Sequence, residues 1–368
     1  MHDASRAYPA PASDGGAGSE RLLAIRQARR TLLQATEAGV GVPGIEPWIA
    51  ASWRRCLARG QRPHERVVFD CVSRAAVRRA LEASSALRQT AGPVIERTLG
   101  RAMADTGYFA LLTDARGIVV DVQGPADTRN PHIHAIARIG VDLSEQAVGT
   151  TAIGAALTEL TPVWLHRGEH FFEDTAVYSC AGAPLFGPDG GCIGMLDLTG
   201  VLTPERRALK HLVSVTARRI ENALVLQRPH ALTVRLTWPG HLPGDDDDGL
   251  LALDAEGTIV AANRTAAEML DLRHDGAGWP HAREVFPLPV ADLFDTARRQ
   301  RPALELPTCT GLRVLALVQN GRDDALPLKS REAAMIRHAV AEARGNVAEA
   351  ARRLGISRAT VYRKLQQR

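Results

Sequence analysis

The sequence predicts a multidomain α+β protein: two mixed-sheet domains followed by a small all-α domain. Three observations carry this. At roughly 150 residues per domain, 368 residues make two or three domains rather than one core. A pattern of apolar run, Asp/Gly turn and second apolar run occurs at Tyr108–Val122, Ala183–Leu198 and Leu250–Arg264. The net charge of +4 is unevenly spread, because residues 328–368 hold ten basic side chains against three acidic ones, while the first 327 are slightly acidic.

The first 19 residues are rich in Ala, Pro and Gly and lack the apolar run of a signal peptide, so a disordered N-terminus over 1–19 is expected. A helical region follows over 20–84. Leu22, Leu23, Ile25, Leu32 and Leu33 space a first helix over Glu20–Ala38, stopped by Gly39 and Gly41. A second helix over Pro47–Ala58 aligns Ile49, Trp53 and Leu57 on one stripe. Trp48 and Trp53 read as packing anchors.

The three repeats read as antiparallel hairpins. In Asp114-Ala-Arg-Gly117 and Asp254-Ala-Glu-Gly257, the glycine supplies the turn's positive φ and the Asp side chain can bond the backbone two residues on. Between the first two hairpins, the small residues of Gln146–Leu157 suggest one helix lying close on a sheet. A long helix over Pro204–Gln227 places Leu209, Val213, Thr216, Ile220 and Ala223 at steps of 4, 3, 4 and 3. That stripe fits either a dimer seam or packing on the helix's own sheet, and the dimer is the slightly favoured expectation. Pro229, Pro239, Pro243 and Asp245–Asp248 suggest a linker over 227–248. The third hairpin then opens a small domain over 249–320, with Asn263–Leu270 as its next helix.

The C-terminus is the most informative segment. Helices are expected over Ser330–Ala343, with Met335, Ile336, Ala339 and Val340 inward, over Val347–Leu354 after an Asn346 cap, and from Ser357 to the chain end. Ala351, Gly355 and Val361 have the spacing of a helix-turn-helix: Ala where two helices cross closely, Gly for the turn, and a β-branched residue packed against the first helix. Leu354, Ile356 and Leu365 complete the small core. Ser357, Arg358 and Thr360 stand at the start of the recognition helix. Arg358 suits guanine O6/N7, and Arg363 and Lys364 suit phosphates. Ala359 and Tyr362 complete the candidate DNA-binding set. The competing reading is an ordinary helical hairpin with a basic solvated face.

Only Lys210, Lys329 and Lys364 are lysines, and none follows a glycine, which excludes a Walker-type phosphate loop. Five cysteines with no C-x-x-C pair fit neither a disulfide framework nor a zinc ribbon. No uncharged stretch exceeds the 14 residues Thr175–Pro188, short of a membrane span. A cytoplasmic protein is expected.

Asn346–Gln367 resembles the Fis-type DNA-binding domain of bacterial enhancer-binding regulators, on its Gly355-Ile-Ser-Arg-Ala-Thr-Val-Tyr-Arg-Lys-Leu365 core. The resemblance implies a DNA-binding domain over 328–368 in which Ser357 and Arg358 contact bases and Thr360, Arg363 and Lys364 contact phosphates. The remainder resembles the sensory half of AcoR-like acetoin-catabolism activators. That resemblance rests on Ser52-Trp-Arg-Arg-Cys56, Val148-Gly-Thr-Thr-Ala-Ile-Gly154, Gly168-Glu-His-Phe171 and Leu196-Asp-Leu-Thr-Gly200. It implies a GAF-like sensor domain over 85–226, and the third hairpin is similar to a PAS core over 249–320. AcoR-like activators carry a central AAA+ ATPase that engages sigma-54; the lysine count leaves no place for its phosphate loop.

His166, His170, Phe171, Phe172, Tyr178 and Cys180 cluster within fifteen residues. His170, Phe171, Tyr178 and Cys180 are the candidate ligand contacts. Plain core packing is the alternative for most of the cluster, and thiol chemistry at Cys180 and Cys192 is a more distant one. Gly168 breaks the helix on which His166 and His170 would form a metal pair. The expected function is a ligand-responsive transcriptional regulator without ATP-dependent sigma-54 activation, with no catalytic residue, metal or cofactor. The alternative is a GAF-fold sensor or thiol enzyme with an incidental basic tail. Expected partners are double-stranded DNA at a palindromic site, a small-molecule effector, a second copy of the chain and RNA polymerase, with no membrane.

Overall fold

The computed structural model describes residues 16–34, 43–299, 303–321, 340, 347–354, 358 and 361. The chain divides into two compact units, 1–187 with 191–224, and 188–190 with 225–368.

The first unit runs α1 (Gly16–Gln34), α2 (Pro47–Ala58), α3 (Arg74–Ala83), α4 (Ser85–Thr106), β1 (Phe109–Asp114), β2 (Val119–Gln123), α5 (Pro131–Ile136), α6 (Glu145–Val148), α7 (Ala152–Glu159), β3 (Val163–His166), β4 (Tyr178–Phe186), β5 (Cys192–Val201) and most of α8 (Ala208–Gln227). The expected start of the first helix shifts, since residues 16–19 are already helical. Its Ile25, Ala28 and Leu32 are buried. The five strands form an antiparallel sheet in the order β2-β1-β5-β4-β3, with Leu111 of β1 and Gly182 of β4 both opposite Asp197 of the central β5.

Side chains alternate across this sheet. On one face Leu112, Ala183, Leu196 and Leu198 pack with Leu87, Ile95 and Leu99 of α4 and Leu209, Val213 and Ile220 of α8. Four of the five expected seam positions of α8, Leu209, Val213, Thr216 and Ile220, are therefore spent inside their own unit, and the Thr216 hydroxyl reaches Thr98 Oγ1 of α4 at 3.1 Å. This corrects the dimer-seam expectation. A stripe at alternating steps of three and four covers a sheet as well as it covers a partner helix, and here the sheet takes it.

The opposite face carries Phe109, Leu111, Tyr178, Cys180 and Met195, covered by Ile133 and Ile136 of α5 and Ala152, Ile153, Ala155 and Ala156 of α7. The single helix expected over Gln146–Leu157 is two helices. Ser144 caps α6 by accepting from Ala147 N, Thr151 caps α7 by accepting from Gly154 N, and Gly149 (φ 69°) turns the chain between them. At Gly182 a Cβ would sit 2.6 Å from Met195 Cε and 3.2 Å from Ala152 O, so the missing side chain is what lets α7 lie against the sheet. The segment 20–84 belongs to this same unit and packs on its loops.

The second unit runs β6 (Leu232–Thr237), β7 (Gly249–Leu253), β8 (Ile259–Ala262), α9 (Arg264–Met269), α10 (Ala282–Val285), α11 (Val290–Arg298), β9 (Leu304–Pro307) and β10 (Arg313–Asn320), then α12 (Val347–Leu354). Its sheet is antiparallel in the order β8-β7-β6-β10-β9. The linker expected over 227–248 is thereby corrected, because it contains the central strand. Leu232, Val234 and Leu236 are fully buried and alternate with Thr233, Arg235 and Thr237, a period-two pattern between the prolines. Asn263 caps α9, accepting from Ala266 N and from Leu250 N and donating to the Asp248 carbonyl. The core of this unit, with Leu251, Leu253, Ile259, Phe286, Leu293, Val314 and Val318, is apolar.

Candidate functional site

The four sequence motifs of the first unit meet in space. On α2, the Arg55 guanidinium donates to both oxygens of Glu145, from Nε at 2.8 Å and Nη2 at 2.7 Å, joined by Arg59 at 2.9 Å and the Ser52 hydroxyl at 2.6 Å. Burial pushes the Glu145 carboxyl up, but the hydrogen bonds from Arg55, Ser52 and Arg59 outweigh it and hold the group below its ordinary range. Ser52 also contacts Thr150 Oγ1 at 2.7 Å, so α2 grips the α6–α7 connection. Trp53 Nε1 donates to the Glu169 carbonyl at 2.9 Å. From α1, Arg29 donates to the carbonyls of Gly168, His170 and Phe171 at 3.0, 2.7 and 2.7 Å, and stands 5.3 Å above the Trp53 ring. Glu169 is fully buried and accepts from Arg21 of α1 and from the His166 backbone N–H. Burial raises its carboxyl to about 7. The 166–171 loop is thus fastened from α1 and α2.

Under that loop lies a small cavity, with about 30 Å³ of space for the centre of a water-sized sphere, room for about two waters. Its apolar wall comes from Phe69, Leu111, Ile136, Leu143, Ala152 and Ile153, and its polar wall from Thr151, His170, Thr175, Tyr178, Cys180, Asp197 and Thr199.

Three of the four candidate ligand residues line this cavity: His170, Tyr178 and Cys180. The fourth, Phe171, does not. It packs edge-on against Phe172, with ring centroids 5.0 Å apart, in a cluster with Leu32, Ile49 and Trp53. The neighbouring His170 is on the cavity, so the extended backbone at this point sends Phe171 to the other side.

His170 Nδ1 donates to the Arg167 carbonyl at 2.9 Å, which leaves Nε2 as an acceptor 3.6 Å from Cys180 Sγ. Burial lowers the His170 value to about 4, so the ring is neutral. Burial pushes the Cys180 thiol well above its ordinary value, with the Asp197 charge acting in the same direction. Burial also raises the Tyr178 phenol, whose hydroxyl donates to the His132 carbonyl at 2.9 Å.

Asp197 is the residue that sequence reasoning passed over. It is 1% exposed at the middle of the central strand, its Oδ2 accepts from the Thr199 hydroxyl, and its Oδ1 has no partner. Burial raises this carboxyl to about 7. One signal was available: a charged residue flanked by Leu196 and Leu198 in a strand that reads apolar on both sides. Among the described residues no group of three or more His, Cys, Asp or Glu is arranged to hold a metal ion, and no helix is long and apolar enough to cross a membrane.

In the C-terminal segment, Ala351 of α12 is 4% exposed and Val361 is fully buried; they pack together with Val340 and Val347. Arg358 is helical and exposed. The other candidate DNA-binding residues, Ser357, Ala359, Thr360, Tyr362, Arg363 and Lys364, lie outside the described residues, as do Met335, Ile336 and the turn residue Gly355.

Comparison with known proteins bears on both regions. Residues 327–367 match the family described as bacterial regulatory protein, Fis family. The chain is 31% identical over 236 residues to the acetoin catabolism regulatory protein of Cupriavidus necator, covering 62% of this chain and 35% of that protein. It is 28% identical over 171 residues to the acetoin dehydrogenase operon transcriptional activator AcoR of Bacillus subtilis, covering 45% of this chain and 27% of that one. The chain spans about a third of the length of these relatives. Among solved structures, the E. coli DhaR(N)–DhaL complex aligns with a TM-score of 0.46 and 17% identity, over 74% of this chain and 99% of that one. Residues 28–222, more than half of the chain, match the family described as MimR, N-terminal domain, and the protein belongs to that family.

Proposed function

We propose that this protein is a ligand-responsive bacterial transcriptional regulator. Its C-terminal helix-turn-helix binds specific double-stranded DNA, and its first unit, a GAF-like sensor, takes a small effector into the cavity beside His170, Tyr178 and Cys180. The second unit is a PAS-like module, and the working form is a cytoplasmic homodimer on a palindromic site. The observation that carries this reading is that Ala351 and Val361, ten residues apart, are buried in one cluster with Val340 and Val347, while Arg358 is exposed. A buried Ala and a buried β-branched residue at this spacing in a segment of charge +7 are what a helix-turn-helix requires, and the match to the Fis family falls on the same residues. Regulatory names among the relatives agree with it.

The chain contains no Gly-Lys pair, so its own residues offer no phosphate loop. It acts at a promoter by recruitment, occlusion or competition rather than by ATP-driven remodelling of polymerase. The thiol-enzyme alternative is disfavoured by the Cys180 environment: a nucleophilic thiol needs a lowered value, and this one is buried and raised.

The test is fluorescence anisotropy of the full chain with random duplex DNA across salt, followed by selection for a consensus. Binding should weaken steeply with salt, and Arg358→Ala should cost about 1–3 kcal/mol. Adding Arg363→Ala should lower the salt slope by about one. Absence of binding overturns the reading, and binding with no selectable consensus overturns its specificity.

A further inference from the structure

The cavity beside His170 has room for about two waters. An organic effector is larger, so a wall must move before one can enter. The walls differ in what holds them. Leu111, Cys180, Asp197 and Thr199 lie on β1, β4 and β5, neighbouring strands paired residue by residue, with Leu111 opposite Asp197 and Cys180 opposite Thr199. Ala152 and Ile153 belong to α7, which lies close on the sheet at the bare Gly182. Displacing either wall would break a strand ladder or a packed core.

The 166–171 loop, which carries His170, is held in another way. Its backbone enters the left-handed region at Arg167 (φ 49°), a conformation that disfavours a residue with a side chain. Partners outside the loop maintain it. From α1, Arg29 donates to the carbonyls of Gly168, His170 and Phe171, and Arg21 donates to the Glu169 carboxyl. A Cβ on Gly168 would stand 3.3 Å from Ile25 Cγ2, so the helix lies directly on the loop backbone. The buried face of α1 is narrow, a single stripe of Ile25, Ala28 and Leu32. A narrow apolar stripe combined with polar ties marks an element that opens locally while the rest of its unit stays folded. Its departure would also take Arg29 off the Trp53 ring and Leu32 out of the cluster of Ile49, Trp53, Phe171 and Phe172, which loosens the hold of α2 on the loop.

Resting on the sensor reading above and extending it to how the site is reached, we propose that α1 is a latch on the sensor cavity. Docked, it holds the 166–171 loop and His170 over the cavity. Undocked, it frees the loop, and the cavity opens to an effector. Docking of α1 and entry of an effector therefore oppose each other, and Arg29 is the residue that ties the two together.

The experiment reads the opening through Cys180, which lines the cavity and is buried, with its thiol pushed up so that the closed form does not react. The full chain is treated with N-ethylmaleimide, and mass spectrometry follows Cys180 against the exposed Cys309 of the second unit as internal reference. Arg29→Ala should speed Cys180 labelling about tenfold or more, the shift in an opening equilibrium expected from losing one hydrogen bond to a charged group, and leave Cys309 unchanged. Leu99→Ala, fully buried on the opposite face of the sheet, destabilises the unit without touching the loop and should leave Cys180 slow. Hydrogen exchange on the wild-type chain keeps the test independent of any variant: the amides of 20–34 and 166–171 should open together, and before those of β4 and β5. The inference is overturned if Arg29→Ala leaves Cys180 labelling unchanged, if Leu99→Ala speeds it as much, or if the wild-type loop exchanges with the sheet rather than with α1. Neither readout uses an effector or DNA, so their failure sinks the latch alone, whereas failure of the DNA assay sinks the regulator reading and leaves the latch standing.

Discussion

The first and second sheets of this protein are both five-stranded and antiparallel, and both contain the same hairpin turn. Asp114 Oδ1 accepts from Arg116 N and Ile118 N, and Asp254 Oδ1 accepts from Glu256 N and Thr258 N, with Gly117 and Gly257 at φ 87° and 91°. Their interiors differ. In the second unit buried polar side chains such as Asn263, Asp248 and Thr308 bond at caps and turns, and the sheet face is filled with apolar groups. In the first, Asp197 sits at mid-strand with a free oxygen beside a cavity. Two sheets of one plan thus separate what a sheet needs in order to fold from what a site adds to it.

The comparison breaks most sharply under truncation of the filled core. Leu251→Ala, at a fully buried position of β7, should cost about 2–5 kcal/mol in denaturant unfolding. Arg29→Ala removes three charged donors from the loop over the cavity and should cost about 1.5–3 kcal/mol.

Asp197→Asn should run the other way. Folding holds the Asp197 proton up to about pH 7 against an ordinary value of 3.8. Its contribution to stability is therefore present in full below the ordinary value and is lost as pH rises through about 7. At pH 8 the unliganded Asn variant should be more stable than wild type by on the order of 2 kcal/mol, with the gap closing toward pH 4. Equal stabilities at pH 8 would show that the carboxyl has a partner in solution and is structural. The smallest effects should fall on the matched turns. Asp114→Ala and Asp254→Ala should each cost about 1 kcal/mol, and a large inequality between them would sink the equivalence of the two hairpins.

Local chemistry was legible in the sequence wherever neighbours in the chain supply the partners. The α2 helix over Pro47–Ala58, the Asp-x-x-Gly hairpins, the Asn263 cap and the Val347–Leu354 helix all fall where turn and cap residues place them. In 227–248 the prolines and the aspartate run read as a linker, whereas the alternation of Leu232, Val234 and Leu236 marks a strand that β7 and β10 flank in the folded sheet. Flanking composition reports only on the ends of such a strand, and its partners come from segments distant in the chain.

The order of local elements, the acidic body and the basic tail were determined by the sequence alone, because capping, turn conformation and charge depend on residues within a few positions of one another. Tertiary structure decided where the α8 stripe is buried, that Phe171 turns away from the cavity while His170 faces it, and that Glu145 is held by α2. It alone decided that Asp197 Oδ1 stays without a partner. Whether a buried carboxylate is satisfied depends on groups from strands and loops distant in the chain, and no spacing within the chain encodes their absence.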